Sequence, residues 1–84
     1  MIAIGGKAGT LSEMAYGWMY GKPIIGVVGF GGWSEKLAGK KIDDRRDDII
    51  LPARTIEEIL DHIEKIIKNF RIQYLISSIS KHTK

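Results

Sequence analysis

Residues 1–13 read MIAIGGKAGTLSE, an apolar segment that runs directly into a glycine-rich turn and then into a helical pattern. Met1–Ile4 predicts a buried strand, and Gly5–Gly9 predicts a tight loop between that strand and the helix. Such a loop sets backbone N–H groups and the positive end of a helix dipole beside small residues, which suits a bound phosphate or another anion. The segment therefore predicts an α/β fold with an anion site close to its start.

The helix that follows the loop has its own start and stop signals. Thr10 is the predicted N-cap, and Glu13, three residues later, completes a capping box. The helix extends to about Tyr20, where Gly21 and Pro23 form a stop signal. Capping thus gives Glu13 a structural explanation that competes with a catalytic one.

The rest of the chain predicts two further strands and a second long helix. The expected segments, in order, are a strand at Ile24–Val28, a flexible loop at Gly29–Ser34, a polar stretch at Glu35–Asp48 with at most a short helical turn near Lys36–Leu37, and a strand at Ile49–Leu51 ended by Pro52. Thr55 and Glu58 then predict a second capping box. This order implies parallel strands joined by crossovers, which is a Rossmann-like, three-layer α/β fold.

The last helix carries two apolar faces. The first, one broad face, consists of Ile56, Ile59, Leu60, Ile63, Ile66, Ile67 and Phe70. In an unbroken helix, Ile72, Leu75, Ile76 and Ile79 would lie on the opposite face. Three explanations stay open: burial against a partner subunit, packing within the chain after a bend or break near Phe70–Gln73, or disorder. We expect a homo-oligomer, with residues 1–70 forming a partial Rossmann-like nucleotide-binding domain and residues 71–84 an amphipathic segment with a basic tail.

Composition excludes several classes of function. The 84 residues include no cysteine, so disulfides, thiolate metal sites and cysteine nucleophiles are absent. No apolar run approaches the roughly 20 residues that span a bilayer, and no signal peptide is visible, so a cytoplasmic location without membrane contact is expected. The basic tail lacks interleaved aromatic residues, so a nucleic-acid partner is not expected. Arg45 and Arg46 among the aspartates at 43–48 favour ion pairs, so no metal is expected.

The glycine-rich loop matches neither of the two best known phosphate-binding loops, G-x-x-x-x-G-K-[ST] and G-x-G-x-x-G. Its sequence, GGKAGTLSE after the strand IAI, resembles the G-G-x-G-T-x-x-E signature of the lysine decarboxylase-like superfamily. That superfamily includes cytokinin-activating phosphoribohydrolases and molybdenum cofactor carrier proteins. Downstream, GKPII at Gly21–Ile25 is similar to the GKP[IV][IV] that follows the helix in these proteins, and Gly32–Lys40 with Ile42–Arg46 resembles the carrier-like branch. The resemblance covers about residues 1–70.

The resemblance implies a nucleotide-binding Rossmann-like fold and a set of site residues. Those implied to bind phosphate are Gly5, Gly6, Gly9 and Thr10, and tight packing of the helix on its strand is the alternative explanation of the glycines. Lys7 either adds a charge-assisted contact to an anion or is an exposed loop lysine. Lys7 also stands where the family has its next glycine, a position that can require positive φ. Glu13 corresponds to the acid that cleaves an N-glycosidic bond in the hydrolase branch. A second candidate ligand loop consists of Gly31, Gly32 and Trp33. We expect Trp33 first to pack this loop onto the domain, and stacking on a base or pterin is the alternative.

The function expected first is binding of a small phosphorylated ligand, a nucleotide or a molybdopterin-type molecule, by a carrier-like protein. Family members carry a further half-domain before the motif, which holds a catalytic arginine, so we expect this chain to be the C-terminal half of a larger domain. The alternatives are a phosphoribohydrolase that acts on nucleoside monophosphates, with Glu13 taking part, and a truncated structural relic that folds by pairing with another copy. Between ligand binding and phosphoribohydrolase activity, ligand binding is the function that we expect.

Overall fold

The computed structural model of the protein describes the backbone of residues 1–82 and the side chains of residues 1–71. Within that part, strands alternate with helices along the chain. Their bounds are β1 Ile2–Ile4, α1 Ala8–Met19, β2 Ile25–Val27, α2 Gly32–Leu37, β3 Leu51–Ala53 and α3 Ile56–His82. The alternation expected from the sequence is therefore present, with one helix more than predicted.

The three strands form one parallel sheet in the order β1-β2-β3. Ile2 is opposite Ile25 in the first pair, and Ile25 is opposite Leu51 in the second. Parallel strands need crossover connections, which α1 and the α2 segment provide. The α/β fold with parallel strands, consistent with a Rossmann-like arrangement, is confirmed, whereas its relation to a larger domain stays a prediction.

The two faces of the sheet are covered by different helices. Ala3 clusters with Met14 and Trp18 of α1, and α2 packs over Gly26, so α1 and α2 share one face. Because side chains alternate along a strand, Ile25, Val27 and Ala53 face the other side, where α3 lies against β3. All three are buried, at 4% exposure or less. The fold thus has a helical layer on each side of the sheet.

The third strand differs from its predicted position. We expected Ile49–Leu51 with Pro52 as its end, but β3 is Leu51–Ala53 and contains Pro52. The reason is that β3 pairs with β2 on one side only. The amide of Leu51 donates to the Ile24 carbonyl, so the backbone nitrogen of Pro52 points to the outer edge, where no donor is needed.

Two helix starts also differ from the sequence expectation. The first helix begins at Ala8 with Lys7 as N-cap, so Thr10 lies inside α1 and the predicted N-cap there is wrong. The amide of Leu11 donates to the Lys7 carbonyl, which fixes the intervening residues as helical. The predicted loop at Gly29–Ser34 is wrong in its second half, because α2 begins at Gly32.

The last helix confirms its predicted cap and corrects its predicted surroundings. The amide of Glu58 donates to Thr55 Oγ1 at 3.1 Å, while the Glu58 carboxylate accepts from the amide of Arg54. α3 continues through Phe70–Gln73, so the break considered there is wrong.

Only part of the first apolar face of α3 is covered: Ile59, Ile63 and Ile66 are half-buried. The exposed members, 54–74% accessible, are Ile56, Leu60, Ile67 and Phe70. The second face, at positions 72–79, lies outside the residues whose side chains are described.

Candidate anion-binding site

The candidate site lies at the carboxyl ends of β1 and β2, where two glycine-rich loops meet. Gly5 and Gly6 follow β1, and Gly29–Gly31 follows β2. Carboxyl ends of neighbouring parallel strands open at the same edge of a sheet, which is where open α/β sheets bind their ligands. The structure therefore brings the two predicted ligand loops together.

Backbone hydrogen bonds join the two loops. The amide of Trp33 donates to the Gly6 carbonyl at 3.2 Å, and the amide of Ser34 donates to the Gly5 carbonyl at 3.3 Å. Gly32 comes so close that a Cβ there would lie 2.6 Å from the Gly6 oxygen. Only glycine allows this approach, and the positive φ of Gly32, 69°, requires glycine as well.

These bonds give the two helix N-termini different roles. The first amides of α2 are already bonded to the β1 loop, so α2 offers them to no ligand. In α1 the first hydrogen bond of the helix is donated by the amide of Leu11 to the Lys7 carbonyl. The N–H groups of Ala8, Gly9 and Thr10 precede this bond and therefore have no acceptor within the helix. Lys7 makes no side-chain capping bond, and the first turn of α1 contains no acidic residue. The start of α1 therefore has available donors, whereas the first amides of α2 are already bonded.

The predicted phosphate-binding residues take distinct positions around this helix start. Gly5 and Gly6 have positive φ, 60° and 96°. A Cβ at Gly6 would collide with the side chain of Thr10, so the threonine hydroxyl lies directly beside the turn. Gly9 is exposed in the first turn of α1. The glycines and the threonine that the motif singled out thus surround one helix start.

Lys7 fits this position without backbone strain. Its φ is −108°, in the ordinary range, although the resembled family has glycine here. Its side chain is exposed beside the start of α1. The concern that this position requires a positive φ is therefore wrong, and a positive charge stands next to the available amides.

Glu13 stands apart from this arrangement. It is exposed on the second turn of α1, and within the described part of the chain its carboxylate makes no hydrogen bond or ion pair. The capping box with Thr10 does not form, so capping no longer explains the residue. Its assignment as a catalytic acid stays a prediction.

The aromatic residues of the second loop differ in accessibility. Trp33 is half-buried, packs against the core and has the Lys36 ammonium 4.9 Å from its ring centroid. Phe30 is 72% exposed, and its carbonyl oxygen would be 3.6 Å from a Cβ on Gly5. The packing expected for Trp33 is confirmed, and Phe30 was not among the residues predicted for the site. The sequence does contain a signal for Phe30, because this aromatic residue lies between two glycines of the loop, Gly29 and Gly31.

Glu35 is a second residue that the sequence analysis missed. Its Oε1 accepts a hydrogen bond from the amide of Gly29 at 2.8 Å. The bond ties the first turn of α2 back to the end of β2 and fixes the loop between them. The acidic residue in the first turn of a predicted helix would have indicated this role only if α2 had been placed correctly.

The aspartate- and arginine-rich segment at 43–48 packs against the C-terminal end of α1, away from the two glycine-rich loops. Arg46 stacks on the Trp18 ring at 4.3 Å, donates to the Lys22 carbonyl at 2.9 Å and pairs with Asp48. Asp43 accepts from the Trp18 indole N–H at 2.8 Å and pairs with Arg45. In the described residues no group of three or more histidine or acidic side chains is placed to hold a metal ion.

These contacts lower the pKa values of two carboxyl groups. The indole N–H of Trp18 is the main cause at Asp43, followed by the amide of Arg45, and together they hold the pKa of that carboxyl below its usual range. The Arg46 guanidinium lowers the pKa of Asp48 in the same way, chiefly by hydrogen bonding. The segment stabilises the fold when its carboxylates are charged.

Among the described residues, no helix is both long and apolar enough to cross a bilayer. Comparison of the chain with protein-family models, with curated proteins and with solved structures gives no match.

Proposed function

We propose that this protein binds a small phosphorylated ligand of the nucleoside-monophosphate class at the N-terminus of α1. The observation that carries the proposal is the pair of contrasting helix starts. The amides of Trp33 and Ser34 are bonded to the Gly5 and Gly6 carbonyls, whereas those of Ala8, Gly9 and Thr10 precede the first bond of α1. The ligand-binding donors are therefore three consecutive N–H groups.

Electrostatics favours a dianionic group at this helix start. The partial positive charge of the dipole is concentrated in the first turn, and no acidic side chain of that turn offsets it. Lys7 and the Thr10 hydroxyl supply two further donors beside the amides. A phosphate with three acceptor oxygens uses all of these groups, and a carboxylate uses fewer.

The remainder of the ligand lies over the second loop in this proposal. Phe30 and Trp33 are the aromatic residues there, and Phe30 is the accessible one. A nucleotide base or a pterin ring would stack on it, so a molybdopterin-type ligand shares the same chemistry. Such ligands are intracellular, and a cytoplasmic location belongs to the proposal. No contact of Glu13 favours the phosphoribohydrolase alternative over binding.

Substitution at Gly9 tests the site, because it separates binding from stability. Gly9→Asp puts a carboxylate in the first turn of α1, where it stabilises the helix and competes with an anion. We expect its melting temperature to equal or exceed that of the wild type, while the affinity for AMP and for inorganic phosphate, measured by isothermal titration calorimetry, falls at least about tenfold, which is 1.4 kcal/mol.

Gly9→Asn is the matched control, since it has nearly the same shape without the charge. It should keep the wild-type affinity within about threefold, or about 0.7 kcal/mol. Equal affinities for the wild type, Gly9→Asp and Gly9→Asn would place binding elsewhere. No heat for the wild type at millimolar AMP and phosphate would overturn the proposed function.

A further inference from the structure

Glu35 places a carboxylate at the edge of the sheet where the two glycine-rich loops meet. Its Oε1 accepts a hydrogen bond from the amide of Gly29 at 2.8 Å, and Gly29 comes two residues after the end of β2. Because β2 is the central strand, this bond fixes the carboxylate between the carboxyl ends of β1 and β3. The Glu35 side chain is exposed, so a ligand can reach it.

The helix α2 also brings Glu35 near the turn that follows β1. Gly32, the first residue of α2, lies against that turn, since a Cβ there would be 2.6 Å from the Gly6 oxygen. Glu35 is three residues further along, and residues three apart are neighbours on one face of a helix. Helical side chains lean towards the helix N-terminus, which is the direction of the Gly29 amide. The carboxylate therefore stands within about one helical turn of the residue that touches the β1 loop.

This carboxylate uses only part of its hydrogen-bonding capacity. An ionised carboxylate accepts through two oxygens, with about four lone-pair directions in all. The Gly29 amide takes one of them, and within the described residues Oε2 accepts no hydrogen bond and forms no ion pair. The neighbouring cation, Lys36, lies over the Trp33 ring instead. The carboxylate is thus oriented by the protein and still has acceptors for a ligand.

We propose that Glu35 binds the ribose hydroxyls of the ligand, so that the site selects ribonucleotides over 2′-deoxyribonucleotides. The inference rests on the proposed function, in which the phosphate lies at the start of α1 and the base stacks on Phe30. The ribose connects these two groups. Phe30 directly follows Gly29, the residue to which Glu35 is bonded, so the sugar passes beside the carboxylate.

The carboxylate and the ribose are chemically complementary. The 2′- and 3′-hydroxyls of ribose are adjacent O–H donors, and a carboxylate accepts from such donors in short, charge-assisted hydrogen bonds. The Gly29 amide orients the carboxylate before the ligand arrives, which lowers the entropic cost of binding. A 2′-deoxyribose offers one hydroxyl of the pair, and inorganic phosphate has neither. The three ligands therefore differ in what they offer to Glu35.

Isothermal titration calorimetry with AMP, 2′-deoxy-AMP and inorganic phosphate tests this role. We expect the wild type to bind AMP at least about tenfold more tightly than 2′-deoxy-AMP. Glu35→Gln keeps an oxygen for the Gly29 amide but replaces the second acceptor with an NH2 donor, and Glu35→Ala removes both acceptors. In both variants the preference for AMP should fall below about threefold, while the affinity for inorganic phosphate stays within about threefold of the wild type.

Glu64→Gln is the matched control, because it removes the same charge from an exposed position on α3. It should keep the wild-type preference for AMP. If Glu35 served only to hold its loop, both variants would weaken AMP and 2′-deoxy-AMP equally, and the ratio of the two affinities would not change.

The outcomes separate this inference from the proposed function. Equal wild-type affinities for AMP and 2′-deoxy-AMP, or a preference retained in either Glu35 variant, would overturn the role of Glu35. Phosphate binding by the same proteins would then leave the proposed function in place. A wild type that binds neither AMP nor inorganic phosphate would overturn both.

Discussion

Gly6 and Gly32 show how two single residues assemble the candidate site. Gly6 leaves room for the Thr10 side chain, and Gly32 leaves room for the backbone of the Gly5–Gly6 turn. The first requirement is local, and the glycine-rich motif indicates it from the sequence. The second joins residues 26 positions apart, so it depends on how β1 and β2 pair, which no local pattern contains.

Asp43 is the residue whose chemistry gives the clearest pH dependence. Its carboxylate accepts from the Trp18 indole and from the Arg45 amide, and its pKa is therefore lowered in the folded protein. A group with a lowered folded pKa is protonated first in the unfolded state. Its stabilising effect is fully present above the usual carboxyl pKa, about 4, and is lost as the pH falls below it.

Asp43→Asn should weaken this acid dependence, because the amide oxygen still accepts from the indole but does not titrate. Urea unfolding at pH values between about 3 and 7 would show a smaller loss of unfolding free energy at the acid end than in the wild type. The matched control is Asp44→Asn, since Asp44 accepts no hydrogen bond in the described part of the chain. Parallel acid profiles for the wild type and Asp43→Asn would contradict the assigned role.

At the scale of elements, the same sequence pattern has two outcomes. The spacing Thr-x-x-Glu occurs at Thr10–Glu13 and at Thr55–Glu58, and it forms a cap only at the second. α1 begins at Ala8, and its N-cap is Lys7, which lies three residues before the predicted N-cap, Thr10. The capping pattern locates a helix start to within a turn, and the geometry of the preceding strand and turn sets the actual residue.

Thr55→Ala should destabilise the protein by about 1 kcal/mol, because the amide of Glu58 loses its only side-chain acceptor in the described structure. Thr55→Ser keeps the hydroxyl and is expected to remain within about 0.5 kcal/mol of the wild type. Urea unfolding at neutral pH measures both changes. Equal unfolding free energies for Thr55→Ala and Thr55→Ser would show that the cap contributes nothing.

The strand β3 and the helix α2 explain why element bounds are harder to predict than element order. Proline ends most strands, and Pro52 does not end β3 because its nitrogen faces the open edge of the sheet. Gly32 would weaken most helices, yet it starts α2 because a side chain there would strike the Gly6 backbone. In both cases a tertiary neighbour overrides the local preference.

At the scale of the whole molecule, the order of strands and helices sufficed to predict a parallel α/β sheet. The turn between β1 and α1 was predicted as well, from glycines that directly follow a strand. Which apolar side chains are buried was not predicted. Leu60 and Phe70 belong to the broad apolar face predicted for α3 but are exposed, as are Ile2 and Ile4 on β1. Periodicity shows that a face is apolar, and only the assembled fold shows what covers it.

The central claim is that α1, and not α2, provides the donors for a phosphate. Amide chemical shifts of the ¹⁵N-labelled protein, followed as AMP and then inorganic phosphate are added at constant pH, test it most directly. We expect the amides of Ala8, Gly9 and Thr10 to move together and to saturate. Those of Trp33 and Ser34 should stay nearly in place, because they remain bonded to the Gly6 and Gly5 carbonyls. Shifts confined to Trp33 and Ser34, or no saturable shift at the start of α1, would contradict the account.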